Sequence, residues 1–496
     1  MQTRDTIDPH QLLSAYQHHM RAGTDDGEVF CELGPLLRDA GKPQEARRCY
    51  KRALEIMQAA ARRGDANLAL HLEQGIYINF VRAVETEEHY YRSFSDWREE
   101  LARLGRRHRD PRGWPDADPK RVGFVLVNGF RLAHTKVLLR VLSAYAGTDT
   151  PGLQATVYVI DECSDEFAAE CAALGVQLVS ALRQNPAFAR AGLADKIFAL
   201  RDLMRADRIG CAVWVSVPAA AAFSLSMGLA PVQAFWALRF HPVTGPYIDG
   251  YLTYGAPGEK ERRFGKQAWQ VVPAPLAIDQ VTQADPARII EIRAVRALYP
   301  ERFLYGTVAR EDKIRSTDFL EAVAAILKAR PDAGYVWTGR SRDPQIAAFF
   351  ETQGVASRCH FAGWVDASLY GAAFDAFLET FPLGCGLTGY QALGAGTPVL
   401  SFLAENTIFG MQFWDSAGLR DPVQIDLSAY PVLCARFAQE YVQIACRLAD
   451  DGAFRAEAGA RGRAFFEREI SQGATQARRF FEALGELISR KSTQPA

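Results

Sequence analysis

The stretch E-T-F-P-L-G-C-G-L-T-G-Y-Q-A-L-G-A-G-T-P-V-L, residues 379–400, decides the fold. An apolar run ends at Phe381. Gly384, Gly386 and Gly389 then fall in a turn that opens a helix, Gly394-Ala395-Gly396 closes that helix, and Pro398 begins the next strand. Small residues let the backbone come close to a ligand, and the N–H groups of a first helical turn point outward from it. In physical terms this is a site for a diphosphate. A glycine-rich turn alone is a weak signal. Placed after a strand, before a helix, and completed by A-G-T-P-V, it is much more specific.

Working outward, strands and helices alternate. RFLYGTVA (302–309), AGYVWTG (333–339), CHFAGWV (359–365) and FDAFLETF (374–381) read as strands, with amphipathic helices over Thr317–Lys328 and Pro344–Gln353. An earlier series begins with VGFVLVNGF, LQATVYVI and VQLVSAL and continues to about residue 280. This alternation predicts two doubly wound parallel sheets whose ligands bind beyond the carboxyl ends of the strands. The run Ile209–Leu238 carries no charge and exceeds the ~20 residues a bilayer requires. Pro218, Pro231, Gly228 and the polar Ser216, Ser224, Ser226 and Gln233 interrupt it. It divides into a strand (CAVWVSV), a short buried helix (AAAAFSLSMGL) and a second strand (PVQAFWAL), so no membrane span is expected.

The first 110 residues or so have a helical texture. In residues 32–56, two helical segments flank a turn at Gly41-Lys42-Pro43, and Ala46, Tyr50 and Ala53 share one face. This resembles one tetratricopeptide unit, whose period is ~34 residues. A lone repeat cannot bury its own face, so it must pack on neighbouring helices, such as one starting near Asn67, or on the next domain. The stretch RRHRDPRGWPDADPKR (106–121) is rich in Pro, Gly and charge and reads as a domain boundary. The expected organisation is a helical domain over 1–115, a Rossmann-like domain over 116–285, a second over 286–470, and a terminal helix over 471–496.

Composition bounds the partners. The chain has 496 residues, with 57 Lys+Arg against 58 Asp+Glu and a formal net charge of -1. Balanced charge gives no global pull toward nucleic acid or an anionic membrane. The nine cysteines form no C-x-x-C pair and their spacing is scattered, which reads as reduced thiols in a cytoplasmic protein. The opening MQTRDTIDPHQLL lacks the apolar core of a secretory signal. His, Asp and Glu do not cluster with metal-ligand spacing, and the one D-x-D, Asp116-Ala117-Asp118, reads as solvated loop. No metal is expected.

The A-L-G-A-G-T-P-V segment resembles the nucleotide-sugar side of GT-B glycosyltransferases. Within them it is most similar to the O-GlcNAc transferase family and its bacterial relatives, among them the glucosyltransferases that modify high-molecular-weight adhesins. Four further stretches fit in order. Asn67-Leu68-Ala69-Leu70-His71 resembles the link between repeats and catalytic part, and Leu229-Ala230-Pro231-Val232-Gln233-Ala234 the family's L-A-P-V-Q stretch. His241-Pro242-Val243-Thr244 with Ile248-Asp249 resembles its H-P-x-T…I-D-Y loop. Glu311-Asp312-Lys313-Ile314 resembles the loop whose lysine meets the sugar diphosphate. F-P-L-G (381–384) is nearer the adhesin-modifying branch.

The resemblance implies a GT-B fold behind an all-α N-terminal domain, a UDP-sugar as donor substrate with no other cofactor, and a protein or peptide acceptor, such as an adhesin or other surface protein. It implies that Lys313 meets the leaving diphosphate, with Arg310 as the weaker candidate. Gly384, Gly386, Leu387, Thr388 and Gly389 would cradle the phosphates and Gln391 the ribose. His134 would act as base near the acceptor, and His241 and Thr244 would contact sugar or acceptor. An acidic residue often stands where Gln391 is, and retaining enzymes commonly carry two glutamates eight positions apart, here Leu383 and Gln391. An inverting mechanism is therefore favoured, with transfer of a hexose or N-acetylhexosamine. Two other readings stand beside it: a GT-B transferase or epimerase acting on a small or lipid-linked glycan, and a non-catalytic helical-repeat scaffold with a degenerate sugar-nucleotide lobe.

Overall fold

In the computed structural model the apolar runs sort into two sheets. The residues described are 9–80, 98–146, 152–238, 243–253, 261–264, 267–272, 286–381, 384–402 and 430–492. The first sheet comprises β1 (Asp118–Leu126), β2 (Gln154–Val159), β3 (Gln177–Ser180), β4 (Ile209–Val215), β5 (Val232–Ala237), β6 (Gly250–Thr253), β7 (Glu261–Phe264) and β8 (Gln267–Val271). Its order is β3-β2-β1-β4-β5-β6-β8-β7, with only the β7–β8 pair antiparallel. The second holds β9 (Phe303–Thr307), β10 (Ala333–Trp337), β11 (Cys359–Phe361), β12 (Ala376–Leu378), β13 (Val399–Phe402) and β14 (Leu433–Ala435). It is parallel throughout, in the order β11-β10-β9-β12-β13-β14.

These orders locate a crevice in each sheet. From β1 the chain winds outward to β2 and β3, then returns to the other side of β1 as β4. The loops leaving β1 and β4 therefore diverge. In the second sheet the same reversal separates the loops leaving β9 and β12.

The uncharged run is the middle of the first sheet. Every residue of β4 and β5 is buried, as is the intervening helix Ala221–Met227. A parallel sheet covered on both faces needs such continuous apolar strands. Among the described residues, no helix is long and apolar enough to cross a membrane.

The N-terminal helices are α1 (Pro9–Ala22), α2 (Gly27–Asp39), α3 (Pro43–Arg63) and α4 (Ala66–Phe80), with a further helix over 98–107. Pro43 opens α3 at its first turn, and Gly64, at φ +90°, closes it. Ala46, Tyr50 and Ala53 are buried on one face as the spacing predicts. A Cβ on Gly34 would come within 2.5 Å of the Tyr50 ring, so α2 and α3 approach closely only because residue 34 is glycine. One hydrophobic core runs from Leu12 and Tyr50 through Trp214 to Trp269. The helical stretch thus shares its core with the first sheet.

The 106–121 stretch is firmly held rather than a loose tether. Three arginines in and just beyond the helix Leu193–Ala206 grip it. Arg201 donates to the His108 carbonyl at 3.0 Å and Arg208 to that of Asp116 at 2.8 Å. Arg205 pairs with Asp110 at 2.6 Å and lies 4.9 Å over the Trp114 ring. Asp118 lies in β1 and not in a loop, its N–H bonded to the Arg208 carbonyl at 2.8 Å.

The last helix, Gly473–Ser492, returns to the first sheet. Phe480, Phe481 and Leu484 join the core of β1, β4 and β5, with Phe480 4.4 Å from the Trp236 ring and Phe481 stacked 3.5 Å from Tyr145. Lys491 closes the contact on Asp249 at 2.9 Å.

Candidate active site

Lys313 and Thr388 both reach across the second sheet's crevice. After β9 the chain makes a short helix, Glu311–Ile314, with Arg310 just before it. From it Lys313 Nζ donates to the Gly384 carbonyl at 2.6 Å, in the turn that follows β12. The helix Leu387–Ala395 opens from Gly386, whose φ of +68° lies where residues other than glycine are strained. Thr388 ties that helix back across the crevice, donating its hydroxyl to the Val308 carbonyl at 2.6 Å.

Space opens at this helix start. A Cβ built on Gly386 or Gly389 meets no neighbouring group within 4 Å among the described residues, although Gly389 is itself buried. The Gly389 N–H is taken by the Gly386 carbonyl at 3.1 Å, which leaves those of Leu387 and Thr388 as first-turn donors. The recess therefore carries positive potential from a helix start and an ammonium, and its walls come within reach of an anion.

Glu379, at the carboxyl end of β12, lies beneath the turn and is buried. It accepts the Ser401 hydroxyl and the Cys385 N–H, and it faces the Lys313 charge. Burial pushes its carboxyl above the usual range, while the Ser401 bond, Lys313 and the Cys385 N–H hold it down. The same burial pushes the Cys385 thiol up to about 11. Sequence reasoning passed over Glu379. The one available signal was a carboxylate standing at the end of the otherwise buried run FDAFLETF.

The remaining candidates spread over both sheets. Gln391 sits half-buried one turn into the Leu387–Ala395 helix. Arg310 pairs with Asp312 at 3.3 Å and is half-buried. Glu311 accepts the Arg340 N–H at 3.1 Å, joining the loop after β10 to the lysine's short helix. His134 is buried at the start of the helix Ala133–Ala146, in the loop that leaves β1 at the first sheet's crevice. Thr135 fixes that loop through the Phe130 and Leu132 carbonyls at 2.5 and 2.8 Å. Thr244 is half-buried after the carboxyl end of β5. His241 and Leu383 lie outside the described residues.

Two of the quoted stretches serve the frame. Gln233 accepts the Leu229 N–H at 2.8 Å and donates to the Leu225 and Tyr247 carbonyls at 2.8 and 2.9 Å. Asp249 accepts the Gln233 N–H at 2.9 Å. His360 lies in β11, 2.7 Å from Glu301, as a half-buried strand residue should. Among the described residues no group of three His, Cys, Asp or Glu side chains gathers where it could hold a metal ion.

No protein-family model matches the chain, and no curated protein does. Solved structures match its fold. A mutant O-GlcNAc transferase from Thermobaculum terrenum is similar over 99% of both chains at 18% identity, with a TM-score of 0.57. The Anabaena protein HepE, solved with UDP and glucose, matches 73% of this chain and 98% of its own at 13% identity and a TM-score of 0.52. A glycosyltransferase from Rickettsia africae matches 74% of this chain and 98% of its own at 9% identity and a TM-score of 0.51. The architecture is GT-B: two Rossmann-like units, each with its crevice at the carboxyl ends of parallel strands, accompanied by many helices.

Proposed function

We propose that the chain is an inverting glycosyltransferase that moves a hexose or N-acetylhexosamine from a UDP-sugar to a protein side chain. One observation carries this reading: Lys313 and the Gly386–Gly389 helix start meet across the second sheet's strand reversal, beside an open recess. A sugar leaves UDP only if the negative charge growing on the diphosphate is stabilised. An ammonium and first-turn N–H groups supply that stabilisation from fixed positions. When the donor binds, Lys313 exchanges part of its bond to the Gly384 carbonyl for a phosphate oxygen.

The other assignments follow the resemblance. Gln391 meets the ribose as a neutral partner that donates and accepts. His134 takes the acceptor's proton as general base. The neutral Gln391 supports inversion over retention, and F-P-L-G supports the adhesin-modifying branch. The polypeptide acceptor rests on the helical stretch and the whole-chain likeness to the Thermobaculum enzyme.

A screen of nucleotide sugars with purified protein tests the reading. UDP and at least one UDP-sugar should raise the melting temperature, and UDP should be released from that donor. Mass spectrometry of proteins expressed with the chain should then find an added hexose or N-acetylhexosamine. Failure of every nucleotide to bind would contradict the donor site, and transfer to a lipid or free glycan alone would contradict the acceptor.

A further inference from the structure

We infer that Glu73, in the helical stretch, is a positioning residue that holds the 216–220 loop at the first sheet's crevice. What that loop serves rests on the reading above; its dependence on Glu73 does not.

Two polar side chains reach from α4 onto the first α/β unit. Asn67 accepts the Ala194 N–H at 2.9 Å and donates to Asp195 at 2.9 Å, at the start of the helix Leu193–Ala206. A Cβ on Gly192 would come within 2.1 Å of Asn67, so this seat is built around a glycine. Further along α4, Glu73 is 2% exposed and accepts the Ala220 N–H at 2.7 Å. The helix Ala221–Met227 has no side-chain cap from its own N-cap residue. A glutamate 147 positions away instead takes the N–H of that N-cap residue, Ala220.

That loop is strained. Ser216 at φ +67° and Ala220 at φ +64° are non-glycine residues in the left-handed region. Such conformations persist only where surrounding contacts impose them, and they gather at functional sites. Here the loop is largely buried, and several of its hydrogen bonds are identifiable. The Ser216 N–H bonds the Trp236 carbonyl at 2.8 Å, and Trp214 Nε1 donates to the Val217 carbonyl at 2.5 Å. Glu73 holds the far end. Burial pushes its carboxyl up to about 8 against the opposing pull of the Ala220 N–H and Arg98. At neutral pH it is therefore largely a neutral acceptor, which suits a dry site.

The loop's place gives the device a purpose. It leaves β4 and forms one wall of the first sheet's crevice; the loop carrying His134 leaves β1 and forms the other. The helical stretch then shapes the acceptor half of the cleft directly, through one carboxyl group, in addition to any polypeptide it meets.

Hydrogen–deuterium exchange on the full chain, read beside UDP calorimetry and UDP-sugar turnover, tests this. In Glu73→Ala, the amides of 216–221 should exchange roughly tenfold faster or more, the loss of one buried hydrogen bond. Exchange over 384–400 and UDP affinity should stay unchanged, and kcat should fall while KM for the donor holds. Glu73→Gln keeps the accepting oxygen and should restore both loop and kcat. Glu73→Asp, with its oxygen drawn back, should give a milder form of the same pattern if the alanine variant does not fold. Unchanged exchange at 216–221 in the alanine or aspartate variant, a rise spread evenly over the chain, or a glutamine variant as loose as alanine would overturn the assignment. If the loop loosens as expected but the wild type neither binds UDP nor releases it from a donor, the functional reading fails and the positioning stands.

Discussion

Lys313 Nζ lies 2.6 Å from the carbonyl oxygen of Gly384, a bond between residues 71 apart that spans the strand reversal of the second sheet. Its partners explain why a lysine is there. The short helix Glu311–Ile314 sets it at the end of β9, and the buried Glu379 carboxyl faces it from beneath the turn. A compact ammonium on a flexible stem can trade a carbonyl for a phosphate oxygen without moving the turn.

Lys313→Arg should therefore be a poor substitute. The charge remains, but a planar fork is too wide for the carbonyl and phosphate positions one ammonium serves in turn. Turnover of UDP-sugar should drop at least ~10-fold, a loss of about 1.4 kcal/mol of transition-state stabilisation. The melting temperature should change little.

Gly386 and Gly389 should separate stability from binding. At Gly389 a helical backbone and open space accept a methyl group, so Gly389→Ala should leave stability equal or raise it by up to ~1 kcal/mol. The methyl group would occupy the recess and weaken UDP. Gly386→Ala forces an alanine to φ +68° and ψ −123°, and should cost about 1–3 kcal/mol as well as affinity. Thermal melts paired with UDP titrations read both.

Thr388→Val keeps the shape but removes the hydroxyl that donates to Val308. The carbonyl left unpaired should cost about 1–2 kcal/mol by denaturant unfolding. Because that bond pins the helix start beside Lys313, UDP affinity should fall with it.

Glu73 gives a pH signature. Its carboxyl titrates near 8 in the fold, against an ordinary value of 4.5. A raised folded pKa contributes stability that is fully present below about 4.5 and lost as pH rises through about 8. Wild type should thus lose stability relative to Glu73→Gln across that window, and the difference should level off above it. Denaturant midpoints at a series of pH values check this.

The fold was readable wherever one element declares itself locally. The uncharged, largely apolar β4 and β5, set apart by Pro218 and Pro231, read as a covered parallel strand pair, and the glycines of 384–396 mark a strand–turn–helix by their spacing. What stayed hidden are single long-range contacts with no period. Glu379 becomes informative only when Ser401 and Lys313 are folded onto it, and Glu73 only when Ala220 is. The Pro, Gly and charge of 106–121 point to irregular backbone, which the structure shows over 108–117, between a helix and β1. They could not report that Arg201, Arg205 and Arg208 clamp it, because those arginines lie in and just beyond a helix distant in the sequence.

The most direct test is to titrate UDP into wild type and Lys313→Ala, and to follow UDP release from a UDP-sugar by both. The account predicts that wild type binds UDP and turns the donor over. It predicts that Lys313→Ala still folds, binds UDP at least ~10-fold more weakly, and loses turnover. A folded Lys313→Ala variant with wild-type affinity and turnover would contradict it.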